Sequence, residues 1–209
     1  MIYDITPAIT EQLAVFPGDT PASRRVLLDM NAGDGLTLST LNATVHLGAH
    51  ADAPSHYGRD GNTIDEMPIE LYLGPCQVIT PKPAPGGGHR LMPKDIAAPI
   101  TEPRVLLRTD SYPNPEHFNT DFTAMSPELA DHLAGAGVRL VGIDTPSVDT
   151  AGAKELVAHH ALLRNNIAIL EGIVLTGVPD GRYELIALPL KLAGFDASPV
   201  RAVLRELAD

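Results

Sequence analysis

Three histidines and an aspartate stand at even-numbered positions within residues 44–56, TVHLGAHADAPSH: His46, His50, Asp52 and His56. Imidazole nitrogen and carboxylate oxygen suit Zn²⁺, and less selectively Mn²⁺ or Fe²⁺. On an extended strand successive side chains point to opposite faces. His46, Gly48, His50 and Asp52 would then share one face, and Leu47, Ala49, Ala51 and Ala53 the other. A helix would also unite His46 and His50, but it would hold Gly48 inside and Pro54 close behind. The extended form is therefore expected. Pro54 ends that strand and leaves His56 just beyond the metal face, a natural place for a general acid–base group.

Two later segments offer further ligands. Glu171 stands in residues 167–175, IAILEGIVL, the most apolar run of the chain. A buried carboxylate without a partner is costly, and the nearest basic residue in sequence is Arg164, so a metal ion would answer that cost. His159 and His160 are adjacent in AKELVAHHALLRN; one can face a site while the other points elsewhere, and spacing does not choose between them. His46, His50, Asp52, Glu171 and one late histidine make five ligands, whereas a four-coordinate catalytic zinc needs three plus water. Five fit two metals with bridging carboxylates and a hydroxide in the open position. The chemistry expected is metal-assisted hydrolysis, with His56 moving the proton.

The elements that must position these groups are short. Runs rich in Val, Ile, Leu and Thr at 26–28, 37–45, 76–80, 104–108, 138–143, 167–175 and 183–188 read as strands. A helix is expected after Ser126-Pro127-Glu128, which supplies an N-cap, a proline at the first position and an acid in the first turn. Residues 154–165 form a second candidate. The Ser198-Pro199 opening suggests a third over the C-terminal VRAVLRELAD. Strands and helices mix without strict βαβ alternation, which favours an α/β or α+β domain with a mixed sheet. The breaker-rich segment 81–89, PKPAPGGGH, reads as a surface loop inside one domain spanning 1–209.

Composition narrows the function classes. The chain has 209 residues, 44% hydrophobic and 20% charged, with a formal charge of -11. Such a chain can bury a full core, and its charge repels a phosphate backbone, so no nucleic-acid partner is expected. The one cysteine, Cys76, allows no intrachain disulfide and reads as a small buried hydrophobe. No apolar stretch approaches a membrane span, and the acidic N-terminal segment lacks a signal-peptide pattern. A soluble, cytoplasmic protein is expected. Gly86-Gly87-Gly88 lacks the Lys-Ser/Thr of a phosphate loop, and no Gly-x-Ser-x-Gly elbow is present. Asp144, in VGIDTPS, reads as a turn former rather than a partner of the site.

The His46-x-Gly48-x-His50-x-Asp52-x-Pro54-x-His56 pattern resembles the signature of the cyclase-like metal-dependent hydrolases. Within them the chain is similar to the bacterial kynurenine formamidase (arylformamidase) branch, through PGDTP at 17–21, YLGPCQVI at 72–79, GIDTPSVD at 142–149, HHALLRN at 159–165, ILEGIVL at 169–175 and the long stretch 184–205. The resemblance implies a swivelling β/β/α fold with a mixed sheet and a few flanking helices, and usually a homodimer. It implies two zinc ions, with Mn or another divalent metal as an alternative. His46 and His50 would bind one, His159 the other, and Asp52 and Glu171 would be shared. His56 would be the proton donor or acceptor. An aromatic substrate contact is implied just before PGDTP, where this chain carries Phe16 in place of the usual Trp. The reaction implied is hydrolysis of the small-molecule substrate N-formyl-L-kynurenine to L-kynurenine and formate. The rival readings are a related hydrolase of isatin-like cyclic amides and a non-catalytic metal-binding protein of the same fold.

Overall fold

The structure is a computed structural model that describes residues 1–82 and 90–207, so most of the 81–89 loop, with Gly86-Gly87-Gly88, lies outside the described residues. In its first half the strands are β1 (Ile2–Asp4), β2 (Ser23–Leu28), β3 (Leu38–Asn42), β4 (His50–Asp52), β5 (Leu73–Ile79) and β6 (Arg90–Leu91). They continue with β7 (Arg104–Leu107), β8 (Ala124–Met125), β9 (Leu140–Ile143), β10 (Ala168–Glu171), β11 (Gly181–Ile186), β12 (Ala197–Pro199) and β13 (Val203–Glu206). The helices are α1 (Pro54–Tyr57), α2 (Pro127–Gly135) and α3 (Val157–Arg164).

Nine strands form one mixed sheet in the order β1-β13-β11-β5-β7-β9-β10-β4-β12, parallel from β5 to β10 and antiparallel on both flanks. The central strands are buried on both faces, which explains why 104–108 and 138–143 read as continuous apolar runs rather than alternating ones. Val105, Leu107, Val141, Ile143 and Ile169 face α2 and α3, meeting Leu129, Leu133, Ala161 and Leu162. The alternate positions Leu106, Leu140 and Leu170 face the other way. There the curled sheet encloses a second apolar cluster with Ile5, Ala51, Tyr72, Leu185 and Leu204. The mixed-sheet α/β architecture is thus as expected.

Of the three expected helices, two form. The Ser126 hydroxyl accepts from the Leu129 amide at 3.1 Å, and Pro127 opens α2. The C-terminal helix does not form. Residues 197–199 and 203–206 are β12 and β13 instead, since pairing with β4, β1 and β11 overrides the Ser-Pro opening. The Ser198 hydroxyl accepts from the Leu190 amide rather than capping a helix.

Candidate metal centre

The sheet sets the site at the junction of β4 and β10. Their antiparallel register puts Glu171 directly opposite His50. His50 and Asp52 share one face of β4, while Ala51 between them enters the core. The expected extended run from His46 is shorter than foreseen. Only 50–52 is strand, because Gly48 lies in the left-handed region at φ 57° and turns the backbone. Gly172, at φ 64°, ends β10 straight after Glu171, so the expected 167–175 strand stops there. The two glycines meet: a Cβ on Gly172 would lie 2.2 Å from the Gly48 carbonyl oxygen. That approach, open only to glycine, brings the two ligand-bearing segments together.

Six side chains converge. Asp52 Oδ1 lies 3.0 Å from His46 Nδ1 and 3.4 Å from His50 Nε2, and its Oδ2 lies 3.4 Å from His159 Nε2. Glu171 divides in the same way, with Oε2 3.4 Å from His50 Nε2 and Oε1 3.5 Å from His159 Nε2. Both carboxylates therefore stand between the His46/His50 pair and His159. His56, carried by α1, stacks beside His46 with ring centroids 4.2 Å apart. Helix α3 settles the adjacent pair geometrically: His159 is buried at the centre, whereas His160 is exposed and reaches the Tyr57 carbonyl at 3.2 Å.

Three of the four imidazoles, those of His50, His159 and His46, are anchored through their far nitrogens. His50 Nδ1 donates to the Gly48 carbonyl at 2.8 Å, His159 Nδ1 to Asp149 at 2.9 Å, and His46 Nε2 to Asp196 at 3.1 Å. In a neutral ring the other nitrogen is then a lone pair, turned toward carboxylate oxygens. Neither oxygen of the buried Asp52 has a hydrogen-bond partner. Lone pairs facing an orphaned, buried carboxylate are what a bound divalent cation resolves, so the donor set fits a metal. Ligand atoms of His50, Asp52 and Glu171, and those of His46, Asp52 and His56, lie within 4.8 Å of one another. The same crowding sets the protonation of the metal-free chain. Burial disfavours the His46 imidazolium, but Asp52 and Asp196 raise its pKa to about 9. Burial alone would raise the Asp52 carboxyl, yet the His159 and His46 rings hold it well below the usual carboxylate range.

Two carboxylates at this centre escaped the sequence reading. Asp149 is buried and accepts from the Ala158 and His159 amides as well as from the His159 ring. It thereby takes the orphan amides at the start of α3, whose N-cap Leu156 has no side-chain cap, and orients a ring with the same group. Its signal was present in the GIDTPSVD stretch, but no spacing rule links it to a helix eight residues on. Asp196 immediately precedes β12 and reaches both His46 and His56. Asp144, expected as a local turn former, instead accepts from the Thr109 amide and hydroxyl and the Asp110 amide, which makes it an anchor for a distant loop, and it lines the cavity beside these groups. Cys76 is fully buried in β5.

A cavity of ≈ 310 Å³ opens beside these groups, lined by His46, His50, His56, His159 and Glu171 on one side and by Phe16 on the other. Phe16 is held edge-on against Phe118 with centroids 5.0 Å apart. No helix among the described residues is long and apolar enough to cross a membrane.

Comparison with known proteins places the chain in a family. The family model named Cyclase matches residues 3–150. A kynurenine formamidase of Maricaulis maris (strain MCS10) is 44% identical over 208 residues, covering 99% of this chain and 98% of that protein. Among solved structures, a potential metal-dependent hydrolase with cyclase activity superimposes with a TM-score of 0.84 at 30% identity, covering 98% of this chain and 96% of the other. Isatin hydrolase A from Labrenzia aggregata does so with a TM-score of 0.82 at 27% identity, covering 98% and 93%.

Proposed function

Since the chain belongs to the cyclase family, we propose that it is a metal-dependent formamidase that hydrolyses N-formyl-L-kynurenine to L-kynurenine and formate. The observation that carries the chemistry is the orphaned Asp52 carboxylate, ringed by three anchored imidazoles beside a cavity. The substrate follows from the end-to-end likeness to the Maricaulis maris formamidase. The whole of 1–209 is read as one hydrolase domain.

His46 and His50 would hold one divalent cation and His159 a second, with Asp52 and Glu171 available to both, a reading that the division of their oxygens supports. Zinc is the metal this donor set suits best. When bound, such cations acidify water and stabilise oxyanion charge. The chain's own residues do the rest. Phe16 offers an apolar face to the aryl ring. Asp149 and the Gly48 carbonyl fix the ring orientations of His159 and His50. His56, on the cavity wall, takes a proton from the attacking water and gives it to the departing aniline nitrogen. The water oxygen bonds to the formyl carbon, the C–N bond breaks, and the arylamine leaves with formic acid, which ionises to formate.

The active protein is a homodimer in the cytoplasm. Every residue of β2 and β3 is exposed, and Val26 and Leu41 on one side of the hairpin and Leu38 on the other leave apolar surface that fits burial against a second copy. The test of substrate is a direct comparison of kcat/KM for N-formyl-L-kynurenine and isatin with saturating zinc. A larger value for the formamide is expected, and a larger value for isatin overturns the assignment in favour of a cyclic-amide hydrolase.

A further inference from the structure

Asp196 is not part of the cavity wall, yet it touches two rings that are. Its Oδ2 is 3.1 Å from His46 Nε2 and 3.4 Å from His56 Nδ1. The two rings lean on each other at 44°, so one carboxylate oxygen sits at the open end of a histidine pair. The sheet places it there. The Asp196 carbonyl accepts from the Ala53 amide at 2.8 Å, and the next residue, Ala197, pairs with Asp52. Asp196 is thus fixed by its backbone to the point where β4 ends and α1, which carries His56, begins.

We infer that Asp196 is a positioning residue shared by the metal site and the proton-transfer group, setting the tautomer and ring orientation of both His46 and His56. With N–H of His46 Nε2 on Asp196, His46 Nδ1 is the lone pair, aimed at the shared Asp52 oxygen 3.0 Å away. His56 Nδ1 faces the same oxygen at 3.4 Å, an ion-pair contact rather than a formed hydrogen bond; with its proton drawn to that side, His56 Nε2 is the nitrogen left to take and return a proton. The carboxylate also balances the imidazolium that forms while the proton is held. Asp196 is not among the residues lining the cavity, so its effect is exerted through the two histidines. Its side chain is 47% exposed, so its contacts contribute little to stability and a substitution there leaves the fold intact.

The inference rests on the proposed hydrolase reading for the role of His56, and the experiment separates the two. Asp196→Asn, His56→Ala and the double variant are compared at saturating zinc with N-formyl-L-kynurenine, and zinc affinity is measured by chelator competition without substrate. Asp196→Asn is expected to lower kcat roughly 10- to 100-fold with KM nearly unchanged, and to weaken zinc binding by a similar factor. In the His56→Ala background it is expected to lower kcat no further, because the route through His56 is gone and saturating zinc masks the route through His46. A penalty that adds in full to that of His56→Ala, or zinc affinity equal to that of the parent, overturns the shared positioning role. Absence of turnover in the parent protein with zinc bound instead refutes the formamidase reading, and the zinc arm then still decides whether Asp196 orients His46.

Discussion

Gly172→Ala tests how the two ligand segments are brought together. At φ 64° an L side chain costs about 1–2 kcal/mol on its own. The new Cβ would also stand 2.2 Å from the Gly48 oxygen and 2.8 Å from its carbonyl carbon, both backbone atoms. Relief to the 3.0 Å that real Cβ contacts respect requires a displacement of about 0.8 Å. Overpacking of that kind adds about 1–3 kcal/mol, for a total of about 2–5 kcal/mol. In a chain of this size that lowers Tm by roughly 4–20 °C. The displaced carbonyl is the acceptor for His50 Nδ1, and Gly172 adjoins Glu171, so His50 and Glu171 move apart. Zinc affinity, read by chelator competition, falls with Tm. Gly152→Ala is the control: its Cβ meets nothing within 4 Å and its φ is not positive, so it shifts stability by about 0.5 kcal/mol or less. If Gly172→Ala melts with Gly152→Ala and binds zinc equally well, the close-approach argument is wrong.

Three further outcomes follow from the same structure. Asp149→Ala removes the acceptor for the first amides of α3, for the His159 ring and for Arg90, and is expected to cost about 3–5 kcal/mol in urea unfolding; a loss under about 1 kcal/mol would contradict that role. In the metal-free chain the His46 pKa is raised from 6.5 to about 9, so its stabilising contribution is fully present below pH 6.5 and is lost as pH rises through about 9. At pH 7.5 zinc must therefore displace a proton, and calorimetry in buffers of different ionisation enthalpy should show proton release on binding; heats independent of buffer would refute it. Leu41→Glu places a charge on the exposed hairpin and is expected to convert a dimer to a monomer in sedimentation, whereas an unchanged mass removes the hairpin from the interface.

What the sequence revealed, and what it hid, follows the range of the interactions. The 46–56 cluster could be found because its ligands are close in the chain, although the alternation argument carried Gly48 and His46 into a strand that begins only at His50. The Ser126-Pro127 start held because a cap and a proline act within one turn. The same signal failed at Ser198-Pro199, where long-range pairing with β4 outweighed it. That failure also hid Asp196, whose place beside His46 and His56 is created by the β4–β12 register. Glu171 announced itself as a carboxylate in an apolar run, but its position opposite His50 is a property of the sheet alone. Spacing leaves His159 and His160 equivalent; the packing of α3 on the sheet buries the first among the carboxylates and leaves the second exposed.

The most direct measurement is hydrolysis of N-formyl-L-kynurenine by the chelator-stripped protein before and after zinc is restored, with kynurenine followed by absorbance and formate assayed separately. A metal-dependent formamidase gives no turnover when stripped, recovery with zinc, and equal amounts of kynurenine and formate. Turnover that survives stripping, or none with zinc demonstrably bound, contradicts that reading.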